Sequence, residues 1–287
     1  MTRRTWGLFL LVGLLWGVPY LFIKVAVRDF SPAVIVCGRT AIGALVLIPL
    51  AIANKSIIDA IRGWRFVLVY AVGEMVGPWF LITTAEKKIS SGLAGLLIAT
   101  VPIWSTIITS LYGDKTVWQR RRLFGIAIGF IGVVALVGIE SITGNASPLA
   151  IGFVVISAVL YAYSTIMVTT NLPNVSGLAI NSVAMAFTGI LFLPFAIAQW
   201  PVDPISLQSG SSLIALGIFS TAMAFYYFFI VMAEIGPARA SLVTYLNTAF
   251  AVLLGVMILG EPLTLGIAIG LPLVLIGSYF AGRKVQA

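Results

Sequence analysis

The chain has 287 residues, 60% hydrophobic and 9% charged, with a formal net charge of +8 and a mean hydropathy of +1.11. A soluble domain carries about 25% charged residues, so this composition excludes a water-facing globular protein and leaves a chain that faces lipid or itself. With no histidine and a single cysteine, Cys37, it also lacks the usual imidazole base, any disulfide framework and any thiol metal site.

A membrane span needs about 20 mostly apolar residues. Ten such runs can be placed, and short loops join them, so no soluble domain is expected. Strands of a barrel would alternate polar and apolar residues; these runs do not, so the predicted class is an all-α polytopic bundle of ten transmembrane helices.

The first run, residues 6–26, begins after Arg3-Arg4. Its apolar stretch is too long for a secretory signal core and no A-x-A cleavage site follows, so it reads as a retained span. Trp16 and Tyr20 lie at mid-depth in it, with Gly17-Val-Pro19 as a helix break and Lys24 near its end, where snorkelling explains the charge. The second run, 32–53, contains Arg39 two turns in. Its guanidinium offers two parallel donors to a carboxylate; the structural alternative is snorkelling, or pairing with an acid on the next span.

The third run, 64–84, holds Glu74 about 16 Å from the membrane face at ~1.5 Å per residue. An ionisable group in hydrocarbon costs at least about 2.5 kcal/mol, so Glu74 should face the interior, as a cation or proton site or as a paired structural carboxylate. Gly77-Pro78 breaks this span and Trp79 follows. The fourth run, 91–112, carries Thr100, Pro102, Trp104, Ser105 and Thr106; the fifth, 121–139, follows Arg120-Arg121-Arg122.

The second half continues with runs at 148–170, 176–198, 211–232, 237–259 and 264–282. Tyr161 and Tyr163 lie in the sixth, Asn181 and Ser182 in the seventh, Tyr226 and Tyr227 in the eighth, Thr244, Tyr245, Asn247 and Thr248 in the ninth, and Gly270-Leu-Pro272 in the tenth. Buried amides need helix partners or a cavity. Trp6, Trp64, Trp118 and Trp200 stand at span ends, as interfacial anchors do.

The basic residues set an orientation. Arg3, Arg4, Lys55, Arg62, Arg65, Lys115, Arg120, Arg121, Arg122, Arg239, Arg283 and Lys284 fall on the side of the termini, against Lys24, Arg28, Lys87 and Lys88 on the other. By the positive-inside rule both termini are cytoplasmic.

The halves repeat. GIAIG stands at Gly125–Gly129 and at Gly266–Gly270; Leu47–Ala53 returns as Phe192–Ala198; Gly7 matches Gly152, Leu15-Trp16 matches Leu160-Tyr161, and Gly113-Asp114 matches Gly260-Glu261. Ordered matches at near-constant offset point to duplication, with units at 1–145 and 146–287. Each unit has five spans, an odd number, so the second enters from the opposite face and the halves are inverted. GxxxG pairs at Gly13/Gly17, Gly73/Gly77, Gly125/Gly129 and Gly266/Gly270 let backbones approach closely.

These motifs resemble the ten-helix exporters of the drug/metabolite transporter superfamily, the EamA type. The matching residues are Ala85, Ser91–Leu97, Pro102, Gly113-Asp114 and Gly125 onward, then Ala233, Ala240-Ser241-Leu242, Leu259–Thr264, Gly266 and Gly277. Asp114 stands where the family has glutamate, and Ala249 where Pro102 stands in the first copy. The resemblance implies inverted repeats around a central cavity and export of small metabolites, amino acids often among them; length and topology also look like the aromatic amino-acid exporters.

Inverted-repeat carriers bind solute near mid-membrane. The expected substrate-binding residues are therefore Glu74, Arg39, Trp16, Tyr20, Trp79, Thr100, Trp104, Tyr161, Tyr163, Asn181, Tyr227, Tyr245 and Asn247, with hinges at Pro19, Pro78, Pro102 and Pro272. An acid and a base in one cavity suit a zwitterion, and the aromatics a bulky, partly apolar one. The expectation is an alternating-access amino-acid exporter of a bacterial inner membrane, a monomer with a small-molecule substrate and lipid as partners. No cofactor, metal or nucleic acid is expected, and no P-loop motif is present for direct use of ATP. The main alternative is a broad exporter of drugs and lipophilic cations; from another class, a non-transporting assembly subunit remains.

Overall fold

The computed structural model describes residues 2–113, 119–142, 147–235, 240 and 242–282. Asp114, Lys115, Trp118, Arg239, Ser241, Arg283 and Lys284 lie outside the described residues. Those that are described form helices joined by short turns, with no strand among them.

In chain order the helices are α1 (Arg3–Ala26), α2 (Pro32–Ala53), α3 (Ile57–Arg62), α4 (Trp64–Ala85), α5 (Ser91–Leu111), α6 (Arg120–Ile142), α7 (Pro148–Asn171), α8 (Gly177–Ala198), α9 (Leu207–Ile235), α10 (Val243–Leu259) and α11 (Leu265–Gly282). Among the described residues, seven of these (α1, α2, α4, α5, α7, α8 and α9) are long and apolar enough to cross a membrane. α6, α10 and α11 fall where the sequence predicts further spans. α3 was not expected; it is one and a half turns of surface helix carrying an exposed Arg62–Asp59 ion pair at 3.7 Å.

Local chemistry sets the helix ends. Ser31, Ser90 and Ser206 cap α2, α5 and α9, each hydroxyl accepting the N–H of the residue three positions on. Pro32 at the start of α2 lacks only an N–H that would have no helical partner. Gly260 ends α10 in the left-handed region at φ 65°, which a side chain would resist.

Two of the long helices are not regular. α4 widens to a π turn at Val72–Val76 and α9 does so at Ile218–Met223, 218 − 72 = 146 residues later. The third irregular helix, α5, breaks after Ile98 at Ala99–Thr100 and resumes at Val101 with Pro102 in its first turn.

Lipid offers no hydrophobic drive between helices, so close packing holds them together. α6 lies along α11, α2 along α8 and α1 along α10; α7 packs against α4 and α5, as α1 does against α9. α6 and α11 approach closely enough that a Cβ on Gly277 would strike the backbone of Gly125 and Gly129. Gly13 and Gly17 admit Leu246 and Phe250 of α10 in the same way, and Gly73 and Gly77 admit Ser164 and Leu160 of α7. The outward faces are apolar: Leu45, Ile190 and Met257 are 74%, 72% and 73% exposed.

Candidate functional site

The interior site is built from the middles of α1, α2, α4, α7 and α9. Arg39 projects from α2 with 5% of its surface exposed. Its guanidinium carbon lies 3.6 Å from the centre of the Trp79 ring of α4, a stacked cation–π contact. Its Nε and Nη2 donate to Thr221 Oγ1 at 3.3 and 3.2 Å, and that hydroxyl donates to the Leu216 carbonyl at 2.9 Å. Thr221 sits in the π turn of α9, where the wide turn presents an oxygen that a regular helix would aim elsewhere.

Glu74 occupies the matching wide turn of α4. Ser164 Oγ of α7 donates to its Oε2 at 2.6 Å. One turn earlier Tyr70 donates to Asn181 Oδ1 of α8 at 3.1 Å, and Asn181 Nδ2 donates to the Gly177 carbonyl at 2.9 Å. Tyr161 of α7 lies within electrostatic reach of both Glu74 and Arg39. Tyr20 of α1 lies in the field of Arg39 as well. Trp16 closes the apolar side, with ring centres 4.6 Å from Phe228 and 5.5 Å from Phe225.

Arg39 and Glu74 do not pair with each other. Among the described residues the only ion pair within 4.0 Å is Arg62–Asp59, so both interior charges lack an ionic partner. That removes the expectation that Arg39 serves to tie α2 to α4 through Glu74. The Lys24 ammonium donates to the Glu86 and Ile89 carbonyls, at 2.6 Å each, and closes the end of α4.

The structure therefore brings Glu74, Arg39, Trp16, Tyr20, Trp79 and Tyr161 together, with Asn181 behind Tyr70. The other expected residues make contacts of their own. Trp104 donates to Thr100 Oγ1 at 3.1 Å and packs on Phe130, in a small apolar pocket shared with Ile103, Val133 and Val155. Asn247 is buried beside Thr248, whose hydroxyl reaches the Gly95 carbonyl at 3.2 Å. Tyr163 is 38% exposed on the outer face of α7, Tyr227 meets the Tyr226 ring edge-on, and Tyr245 lies toward Tyr279. Of the proposed hinges, Pro78 follows the α4 π turn and Pro102 the α5 break, whereas α1 and α11 run unbroken through Pro19 and Pro272.

Sequence reasoning missed Thr221, Ser164 and Tyr70. Hydroxyls in apolar helices usually bond their own backbone, and nothing in the sequence marks which turn is wide. Glu86, fully buried at the end of α4, was also missed, because Lys87-Lys88 beside it reads as a solvated loop. Among the described residues no group of three His, Cys, Asp or Glu side chains could hold a metal ion.

Comparison with known proteins places this geometry. A solved crystal structure superposes over 98% of this chain and 97% of its own length with a TM-score of 0.67 at 19% identity, a likeness of fold. An uncharacterized transporter of Archaeoglobus fulgidus is 30% identical over 98% of this chain and 99% of its own. The uncharacterized inner membrane transporter YedA of Escherichia coli K12 is 25% identical over 96% of this chain and 92% of its own. The EamA-like transporter family matches residues 5–138 and again 148–283. A multi-pass helical chain with an interior charged and aromatic cluster, matched twice along its length, belongs to the EamA-like transporter family.

Proposed function

We propose that this membrane transporter is a secondary carrier exporting small metabolites, amino acids above all, with aromatic or other bulky apolar ones preferred. The observation that carries the reading is the pair of interior charges, Arg39 and Glu74, each without an ionic partner and both within reach of Tyr161. A buried charge without a counter-charge is unfavourable. A zwitterion supplies both at once: its carboxylate to the free edge of the Arg39 guanidinium, its ammonium to Glu74 and to the faces of Trp16 and Tyr161.

The carrier is proposed to consist of ten spans in two inverted units, 1–145 and 146–287, with cytoplasmic termini in a bacterial inner membrane. It would act as a monomer by alternating access. Support comes from the two family matches, from the wide turns 146 residues apart, and from the reciprocal packing of α1 on α10 and α7 on α5. Uptake into proteoliposomes, with a panel of amino acids and lipophilic cations, tests the substrate class. Amino-acid flux lost in Glu74→Gln and in Arg39→Ala is expected; flux of cations alone overturns the reading.

A second reading has its own observation. Trp79 and Thr221 already hold Arg39, as a structural arginine would be held. A lipophilic-cation exporter would then use Glu74 and the aromatics only, and Arg39→Lys would leave its flux intact.

A further inference from the structure

Three buried polar atoms without a hydrogen-bond partner meet within one turn at the end of α4. They are Thr83 Oγ1 and both carboxylate oxygens of Glu86. Thr83 and Glu86 are both 0% exposed and, three residues apart on a helix, share one face. Titratable groups from three other elements lie within electrostatic reach of Glu86. α1 contributes Tyr20 and Lys24, α2 contributes Arg39, and the turn before α11 contributes Glu261. None of them bonds the carboxylate. Lys24 donates instead to the Glu86 and Ile89 carbonyls, and Glu261 accepts from Ser91 N, Ser91 Oγ and Gly92 N. Lys87 and Lys88, the next residues on its own element, point to the exterior.

We propose that Glu86 is a proton-binding site of this carrier, charged with a proton while its end of the bundle is closed and exchanging it with water when that end opens. A carboxylate in such a place would leave two charged acceptors unsatisfied. The carboxylic acid has only a hydroxyl and a carbonyl to place, and Thr83 stands one turn away on the same face. Glu86 lies one residue beyond the spanning segment of α4; burial pushes its carboxyl well above the ordinary range, Lys24 opposes that, Glu261 adds to it and Arg39 opposes it. On opening, the O–H bond of Glu86 breaks, its proton passes to a water as hydronium, and the carboxylate remains. It then competes with solute for Arg39, the cation it faces toward the central site. Proton release at Glu86 and loss of an anionic group from Arg39 are coupled in this way.

The inference rests on the transporter reading for its purpose but not for its test. Infrared difference spectra of the purified protein in lipid, titrated with pH, read protonated carboxyl groups directly. In a Glu74→Gln background the protonated-carboxyl band is expected to persist at neutral pH and to lose one equivalent per chain when Glu86→Gln is added. Glu86→Asp is expected to keep the band at a shifted frequency, which guards against a glutamine variant that misfolds. Identical spectra with and without Glu86 across the titration overturn the proposal. If the band behaves as expected but no zwitterion or cation moves in proteoliposomes, the transport reading falls and the proton site stands.

Discussion

The guanidinium carbon of Arg39 lies 3.6 Å above the ring of Trp79. That contact holds the guanidinium over the ring and leaves one edge for a ligand, since Nε and Nη2 already reach Thr221. A cation–π contact contributes roughly 0.5–2 kcal/mol, with the larger figure in dry sites. Trp79→Leu should therefore weaken zwitterion binding by about 2- to 30-fold. Arg39→Lys should weaken it further, because a lysine offers neither a flat face nor paired donors. Isothermal titration in detergent or nanodiscs checks both.

Gly277 meets the backbone of Gly125 and Gly129 across the α6–α11 contact. No side-chain rotation relieves a clash with backbone, so Gly277→Val should destabilise by about 1–3 kcal/mol. Thermal unfolding of the purified variant reads this as a lowered Tm. An unchanged Tm would show that the two helices can separate freely.

Glu261 accepts three hydrogen bonds at the start of α5, from Ser91 N, Ser91 Oγ and Gly92 N at 2.8, 2.8 and 3.2 Å. Ser91 is 0% exposed, so removal of the acceptor strands buried donors. Glu261→Ala should lose about 1–3 kcal/mol. Gly255→Ala should show a similar loss with the carboxylate retained, because a Cβ there collides with Glu261 and with Ser91 Oγ.

Asp29, in the turn after α1, accepts from Ser206 N at 2.8 Å and Ser206 Oγ at 2.5 Å at the start of α9. Hydrogen bonds from the Ser206 hydroxyl and N–H hold its carboxyl below the ordinary 3.8. The folded state thus binds the proton less well than the unfolded chain. The stabilisation is present above pH 3.8 and lost as pH falls through the lower folded value. The Tm difference between the native chain and Asp29→Asn should be constant near neutrality and shrink only in strong acid; a difference that vanishes near neutrality rejects this.

Lys55 and Lys88 are exposed at turns assigned to opposite faces by charge. With Cys37 replaced by serine, single cysteines at these positions should react with an impermeant thiol reagent from opposite sides of sealed vesicles. Reaction from the same side would overturn the assignment of α4 as a membrane span.

Much of the helix plan is visible in the amino-acid order. Apolar runs bounded by Ser-Pro, Ser-Ser and Gly mark where α2, α5 and α10 begin or end, because caps and breakers act locally. Pro102 announced an interruption, and the chain breaks just before it. The wide turn at Val72 ends at Gly77-Pro78, the break that the sequence marks, whereas the one at Ile218 has no proline beside it and local signals are silent about it. The same silence hid Thr221 and Ser164, whose partners are 182 and 90 residues distant. Trp104 and Thr100 were drawn into the site by depth alone, but depth does not fix azimuth. Both line the apolar pocket at Phe130.

The wide turn of α4 has a consequence for tolerance to deletion. A π turn is an α-helix with one odd residue folded into its ladder. Loss of a single residue between Val72 and Val76 would leave a continuous, well-bonded rod of ordinary pitch. Everything after it would keep much the same phase, because the wide turn had absorbed the extra residue, so Trp79 would stay near its cation while the bulge that presents Glu74 was lost. Such a variant would insert, fold and be inert.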